Sequence, residues 1–163
     1  MKKIKIYGNG YTTKIIPETT YDYVICCHRT PENTPDDTTH VCSCDWGERG
    51  KTLEKQQALK LNFKICFGLA IETDNFSKKR NNDQLDHIER DNGIELCEMF
   101  YVPHTFTRQS GLFAMWYAIE ILKGTEIHCI GMPDTECVCL RDNKIKMVEN
   151  EWIKKHLNKF SFF

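Results

Sequence analysis

Short apolar runs, each closed by glycine, proline or a polar turn, alternate along this chain with stretches whose apolar residues recur at helical spacing. Lys3–Tyr7 alternates and stops at Gly8-Asn9-Gly10, which predicts a strand running into a tight turn. Tyr21–Cys27 is continuously apolar, as expected for a strand covered on both faces. Thr39–Cys44, Phe63–Phe67, Glu95–Val102 and Ile127–Ile130 read as further strands, ending near Asp45-Trp46-Gly47, Pro103 and Gly131. Thr107–Lys123 is the clearest helix: Leu112, Met115, Trp116, Ile119 and Leu122 share one face, and Gly124 follows as a stop. Leu53–Leu61, Asn82–Asn92 (stopped by Gly93) and Glu149–Lys159 are the other helix candidates. Arg29–Thr39, with Pro31 and Pro35, reads as a loop. Asp74–Asn82, which contains Lys78-Lys79-Arg80, reads as a surface loop or as a lid carrying cations for a phosphate.

Strands alternating with helices predict an α/β fold of Rossmann-like type, a mostly parallel sheet flanked by helices. At 163 residues the whole chain, 1–163, suits a single domain. A net charge of −1 gives no basis for binding a nucleic-acid backbone, although it permits a local basic pocket. The nine cysteines, at 26, 27, 42, 44, 66, 97, 129, 137 and 139, are odd in number and lie mostly in apolar runs. They read as buried thiols of a reducing compartment. Met1-Lys2-Lys3 leads straight into the first strand, so no leader is expected, and no apolar run reaches the ~20 residues of a membrane span. The expectation is a cytoplasmic protein.

Three segments carry candidate chemistry. In Gly8-Asn9-Gly10 the glycines allow close backbone approach and Asn9 offers both donors and an acceptor; ligands of open parallel sheets bind at carboxyl ends of strands. The segment is not the dinucleotide fingerprint, because the third glycine is missing from Gly-Asn-Gly-Tyr-Thr-Thr, and an ordinary turn is the alternative. Arg108-Gln109-Ser110-Gly111 opens the long helix, where free N–H groups, a hydroxyl and a guanidinium suit a phosphate; a plain N-cap by Thr107 or Ser110 is the alternative. Gly131-Met132-Pro133-Asp134 sets an acidic residue beyond a strand end, suited to a sugar hydroxyl, to base catalysis or to capping the next turn.

These three blocks, in this order, resemble bacterial sialyltransferases that use CMP-sialic acid. The resemblance lies in Ile6-Tyr7-Gly8-Asn9-Gly10, in the Asp-containing apolar strand Tyr21–Cys27, in Gln109-Ser110-Gly111 opening a helix, and in Lys123-Gly124 followed by Ile127–Asp134. It implies a Rossmann-like nucleotide-binding domain and glycosyl transfer from a CMP-sugar donor with no metal or other cofactor. By that match Asn9, Ser110 and Gly111 contact the nucleotide. The chain departs from the family in having Cys27 or His28 where an asparagine ends the second strand, and Pro133 ahead of Asp134.

Beyond the match, His104 and His28 are candidate general bases, and Asp45 at the end of a strand is a comparable candidate. His87 and His156 read as surface residues and His128 as packed in a strand. Asp134, His104 and Arg108 are thus the expected catalytic group. Gly8, Asn9, Gly10, His28, Asp45, Gln109, Ser110, Gly111 and Gly131 form the expected nucleotide site. Cys42-Ser43-Cys44 and Cys137-Val138-Cys139 lack knuckle spacing, so no metal is expected. The functions in view are a nucleotide-sugar-dependent glycosyltransferase, a non-catalytic nucleotide-binding protein, and a nucleotide or glycoside hydrolase. Trp46, Phe160, Phe162 and Phe163, read as exposed, suggest either a homo-oligomer contact or docking of the terminal cluster on its own domain.

Overall fold

A computed structural model of the protein describes residues 1–8, 10, 12–27, 34–47, 58–60, 64–132 and 151–163. Seven strands, β1 (Lys3–Tyr7), β2 (Tyr23–Cys27), β3 (His40–Ser43), β4 (Ile65–Ala70), β5 (Cys97–Val102), β6 (Glu126–Ile130) and β7 (Phe160–Phe162), form one sheet in the order β5-β4-β3-β2-β1-β6-β7. Every pairing is parallel. Among the described residues the helices with both ends defined are α1 (Asn75–Arg90), the single turn α2 (His104–Thr107), α3 (Ser110–Glu120) and α4 (Glu151–His156). This is the expected α/β, Rossmann-like architecture, a parallel sheet flanked by helices in a single domain. No helix among the described residues is long and apolar enough to cross a membrane.

The apolar runs form strands because both of their faces are covered. All six residues of β4 are buried, as are the last four of β2. On one face α3 packs across the sheet, and it approaches β4 so closely that a Cβ on Gly68 would lie 2.9 Å from the Phe113 ring. Eight of the eleven α3 residues are buried, so this is a central helix rather than an amphipathic surface one. On the other face Ile88 and Leu85 of α1 meet Val41, Ile65, Phe67 and Trp46.

Cys27, Cys42 and Cys66 are register partners on β2, β3 and β4 and lie in the core with α3. The seven described cysteines are all buried. Burial pushes the Cys42 and Cys129 thiols up, so they stay protonated and act as small apolar packing groups.

Several boundaries differ from the expected ones. The polar segment read as a loop over 74–82 is the first half of α1. Asp74 accepts the Ser77 N–H at 3.0 Å and the Ser77 hydroxyl at 2.9 Å, so the helix is capped there and begins at Asn75 rather than at the expected Asn82. The helix expected over 107–123 is broken: Gln109 is extended at φ −147°, ψ 141°, which separates α2 from α3. At its far end Lys123 takes the left-handed turn at φ 60°, and Gly124 donates back to the Ala118 carbonyl at 2.8 Å.

The tail folds as α4, a 3-10 turn over Leu157–Lys159, and then β7. That last strand pairs with β6, so the terminal aromatics dock on their own domain. Trp46, read as exposed, is wholly buried. His156, read as a surface residue, is buried against the Trp152 ring. His128 is buried as expected and held by the Tyr21 hydroxyl at 2.8 Å and Glu126 at 2.9 Å. Of the expected 53–61 helix, the described residues 58–60 are helical.

Candidate site at the carboxyl edge of the sheet

In this strand order the chain steps outward from β1 through β2 to β5, then returns to the other side of β1 with β6 and β7. The direction of winding reverses at β1 and β6, and the carboxyl ends of strands beside such a reversal are where open α/β sheets take ligands. Gly8 and Gly131, the residues that leave β1 and β6, stand at that point.

The glycines there have a use within the fold itself. The Gly8 N–H donates to the Ile130 carbonyl and the Gly10 N–H to the Gly131 carbonyl, both at 2.8 Å. A Cβ on Gly10 would lie 2.3 Å from the Gly131 oxygen, and one on Gly131 would lie 2.3 Å from the Gly10 oxygen. The close approach these glycines permit is therefore one of backbone on backbone, between two strand ends. Met132 then folds over them. Its Cγ would be 2.5 Å from a Cβ on Gly8, and its Cε 3.0 Å from one on Gly111. The buried Met132 side chain thus joins the glycine turn to the start of α3, which brings the two expected ligand segments together while packing between them.

Ser110 is buried, and its hydroxyl accepts the Cys44 N–H at 3.3 Å. The Cys44 carbonyl in turn accepts from Arg80 Nη2 at 3.2 Å. Arg80 reaches this strand end because α1 is clamped across it. Asn81 pairs with both the N–H and the carbonyl of Ala70, at 3.0 and 2.8 Å. Gln84 accepts the Trp46 N–H at 2.6 Å. Asp45 is exposed and closes its own turn by accepting the Gly47 N–H at 3.2 Å.

His104 starts α2 beyond β5, where both Glu72 oxygens accept its backbone N–H at 2.8 Å. The Thr107 hydroxyl donates to the His104 carbonyl at 2.9 Å and lies 3.3 Å from Nδ1. With its one hydrogen spent on the carbonyl, that hydroxyl receives a hydrogen from Nδ1, and the imidazole lone pair is left on Nε2. Partial burial, then the charges of Arg108 and Arg80, hold the His104 pKa below its ordinary value, outweighing Glu72 and Asp74. The Phe76 ring, exposed on α1, stands edge-on to the imidazole at 5.5 Å.

His104, Arg108, Gln109, Ser110 and Gly111 therefore gather on one edge, with Asp45 close by. Gly8, Gly10 and Gly131 join them through Met132. Asn9, His28 and Asp134 lie outside the described residues. Glu72 and Phe76 were not among the expected site residues, and Arg80 was considered only within a cation-bearing lid. The available signal was Asp74-x-x-Ser77, an N-cap pattern that turns the Lys78-Lys79-Arg80 run from a loop into a helix with one cation facing the sheet. Among the described residues no three His, Cys, Asp or Glu side chains group as a metal site.

Burial lowers the pKa of His40, His104 and His156 alike below the 6.5 of a free imidazole. Between the depressed folded values and 6.5 the unfolded chain binds more protons than the folded one. Stability is thus full above pH 6.5 and is lost as pH falls through the folded pKa values. Urea midpoints measured from pH 7.5 to 5 should decline through the lower half of that range, and a flat profile would contradict the burial of these rings. Comparison of the chain with protein-family models, with curated proteins and with solved structures returned no match.

Proposed function

We propose that this protein binds a phosphorylated small molecule of the nucleotide type at the carboxyl edge of its sheet and uses a CMP-sugar of that kind as a glycosyl donor. The observation that carries the reading is the placing of His104 and Arg108 on the turn that leads into α3, with Arg80 bonded to the carbonyl of Cys44, whose N–H meets the Ser110 hydroxyl. A departing nucleotide phosphate gains negative charge as the glycosidic bond breaks, and fixed guanidinium groups stabilise that charge without a metal or other cofactor. His104 is neutral at pH 7 with its lone pair on Nε2, so it can accept the proton of an acceptor hydroxyl as the hydroxyl oxygen attacks the anomeric carbon. Asp134 is the alternative base in this scheme.

A second reading, nucleotide binding without transfer, is favoured by Met132, whose packing over Gly8 and Gly111 closes the surface next to the glycine turn with an apolar group. Hydrolysis of the same donor by water is the third outcome to be distinguished. Thermal-shift titration with CMP, CDP, UDP and ADP-ribose tests what all three share, since a ligand selective for the folded state raises its melting temperature. CMP is expected to give the largest shift, reduced in Ser110→Ala and Asn9→Ala. Incubation with a CMP-sugar, with and without acceptor, then separates transfer, hydrolysis and retention. His104→Ala should abolish turnover and spare the CMP shift. Absence of a shift with every nucleotide would end the proposal.

A further inference from the structure

The guanidinium of Arg80 is held at one end and unanswered at the other. Its Nη2 donates to the Cys44 carbonyl at 3.2 Å, while Nη1 is buried and, among the described residues, has no hydrogen-bond acceptor. Among the described residues no carboxylate comes within salt-bridge distance of it. A buried guanidinium N–H with nothing to donate to is costly, since arginine keeps its charge at any physiological pH and the lost hydration is not replaced. The fold nonetheless spends three contacts on keeping Arg80 there: the Asn81 pair to Ala70, the Gln84 bond to Trp46, and the Cys44 carbonyl. Lys78 and Lys79 on the same helix are exposed, which makes Arg80 the inward-turned member of the basic run.

We infer that Arg80 is an oxyanion receptor whose Nη1 is completed by an oxygen of a bound phosphate or carboxylate at the carboxyl ends of β3 and β4. The planar fork suits such a group because two N–H vectors can meet two oxygens of one anion. Exposed Arg108, which ends α2 just before the start of α3, is a second cation on this edge and adds attraction from the solvent side. The inference rests on the proposed site for its location. It deepens that reading by naming the anchor and the chemical class it takes, without requiring a nucleotide or a transfer reaction.

Isothermal titration of the full chain with inorganic phosphate and with acetate, at constant ionic strength, tests it directly. Saturable binding of one of them is expected, at least tenfold weaker in Arg80→Gln and intermediate in Arg80→Lys, and the preferred anion identifies the source as phosphate or carboxylate. No saturable binding of either anion, or equal affinity in an Arg80→Gln variant with a native circular dichroism spectrum, overturns the inference; the latter is what an ordered water on Nη1 would give. Should Arg80→Gln fail to fold, the arginine Nε–H resonance absent from Arg80→Lys is followed in the wild-type protein. That signal must shift as anion is added, and a signal that stays still overturns the inference too. Parallel titration with CMP and cytidine separates the two proposals. Arg80-dependent phosphate binding, with CMP no tighter than phosphate, supports the receptor and defeats the nucleotide-sugar reading. A CMP shift unchanged by Arg80→Gln overturns the receptor and leaves nucleotide binding to the Ser110 and Arg108 side of the site.

Discussion

Gly131→Ala is expected to destabilise the protein by roughly 2–4 kcal/mol, combining a left-handed backbone penalty with overpacking. Gly131 has φ +63°, where a Cβ is strained whatever space surrounds it. The added methyl would also sit 2.3 Å from the Gly10 carbonyl oxygen, a backbone atom with no rotamer by which to retreat. Neither partner of that contact moves independently. The Gly131 carbonyl accepts from Gly10, and its N–H donates to the Phe163 carbonyl at 2.9 Å. A shift at Gly131 therefore loosens β1 on one side and the β7 end on the other. For a chain of this length the loss corresponds to a fall in melting temperature of roughly 5–15 °C. Gly111→Ala is the control. Among the described residues its one near neighbour is the flexible Met132 Cε at 3.0 Å, and alanine gains helix propensity there, so a change of about 1 kcal/mol or less is expected. Equal melting temperatures for Gly131→Ala and wild type would show that the two strand ends are not in backbone contact.

Trp46→Ala should cost about 3–5 kcal/mol, the usual range for removing a fully buried large aromatic side chain. The indole lies beneath the end of α1. Its Nε1–H donates to Asp91 at 2.8 Å, its ring meets Phe67 edge-on at 6.3 Å, and a Cβ on Gly93 would lie 2.7 Å from it. Truncation leaves a cavity that a sheet on one side and a helix on the other are poorly able to close. Because the indole also seats the end of α1, the helix that bears Arg80, through Asp91 and Gly93, anion binding should weaken along with stability. Trp46→Phe retains most of the ring volume and loses the hydrogen bond, so it is expected to recover most of the difference. Urea denaturation of the three proteins measures both effects, and a Trp46→Ala midpoint within error of wild type would rule out the buried position.

The misreadings share a physical origin. Trp46 follows Asp45 and precedes Gly47, a polar turn by every local criterion; its burial comes from α1 lying across the end of β3, which no neighbouring residue announces. Arg80 sits among eight consecutive polar or charged residues, Ser77–Gln84, and only the helical geometry of that stretch turns one of them inward. The break at Gln109 interrupts a continuous helical pattern because His104 and Thr107 complete a turn of their own, closed by the Thr107 bond to the His104 carbonyl. His104, Arg108, Ser110 and Gly111 were legible as candidates, since residues that follow a strand or open a helix stand at the sheet edge in any fold of this class.

The sequence by itself determined six of the seven strands, all but β7, together with the parallel α/β class and the end of the sheet at which its polar residues gather. Apolar runs four to six residues long can bury both faces only inside a layered fold, and the turns that close them carry the chemistry to one side. Tertiary structure alone decided which ends meet. It set β1 between β2 and β6, turned Gly8, Gly10 and Gly131 upon one another, and drew Arg80 over the Cys44 carbonyl. Periodicity encodes the face a residue presents, whereas the partner it finds there depends on how distant segments close together.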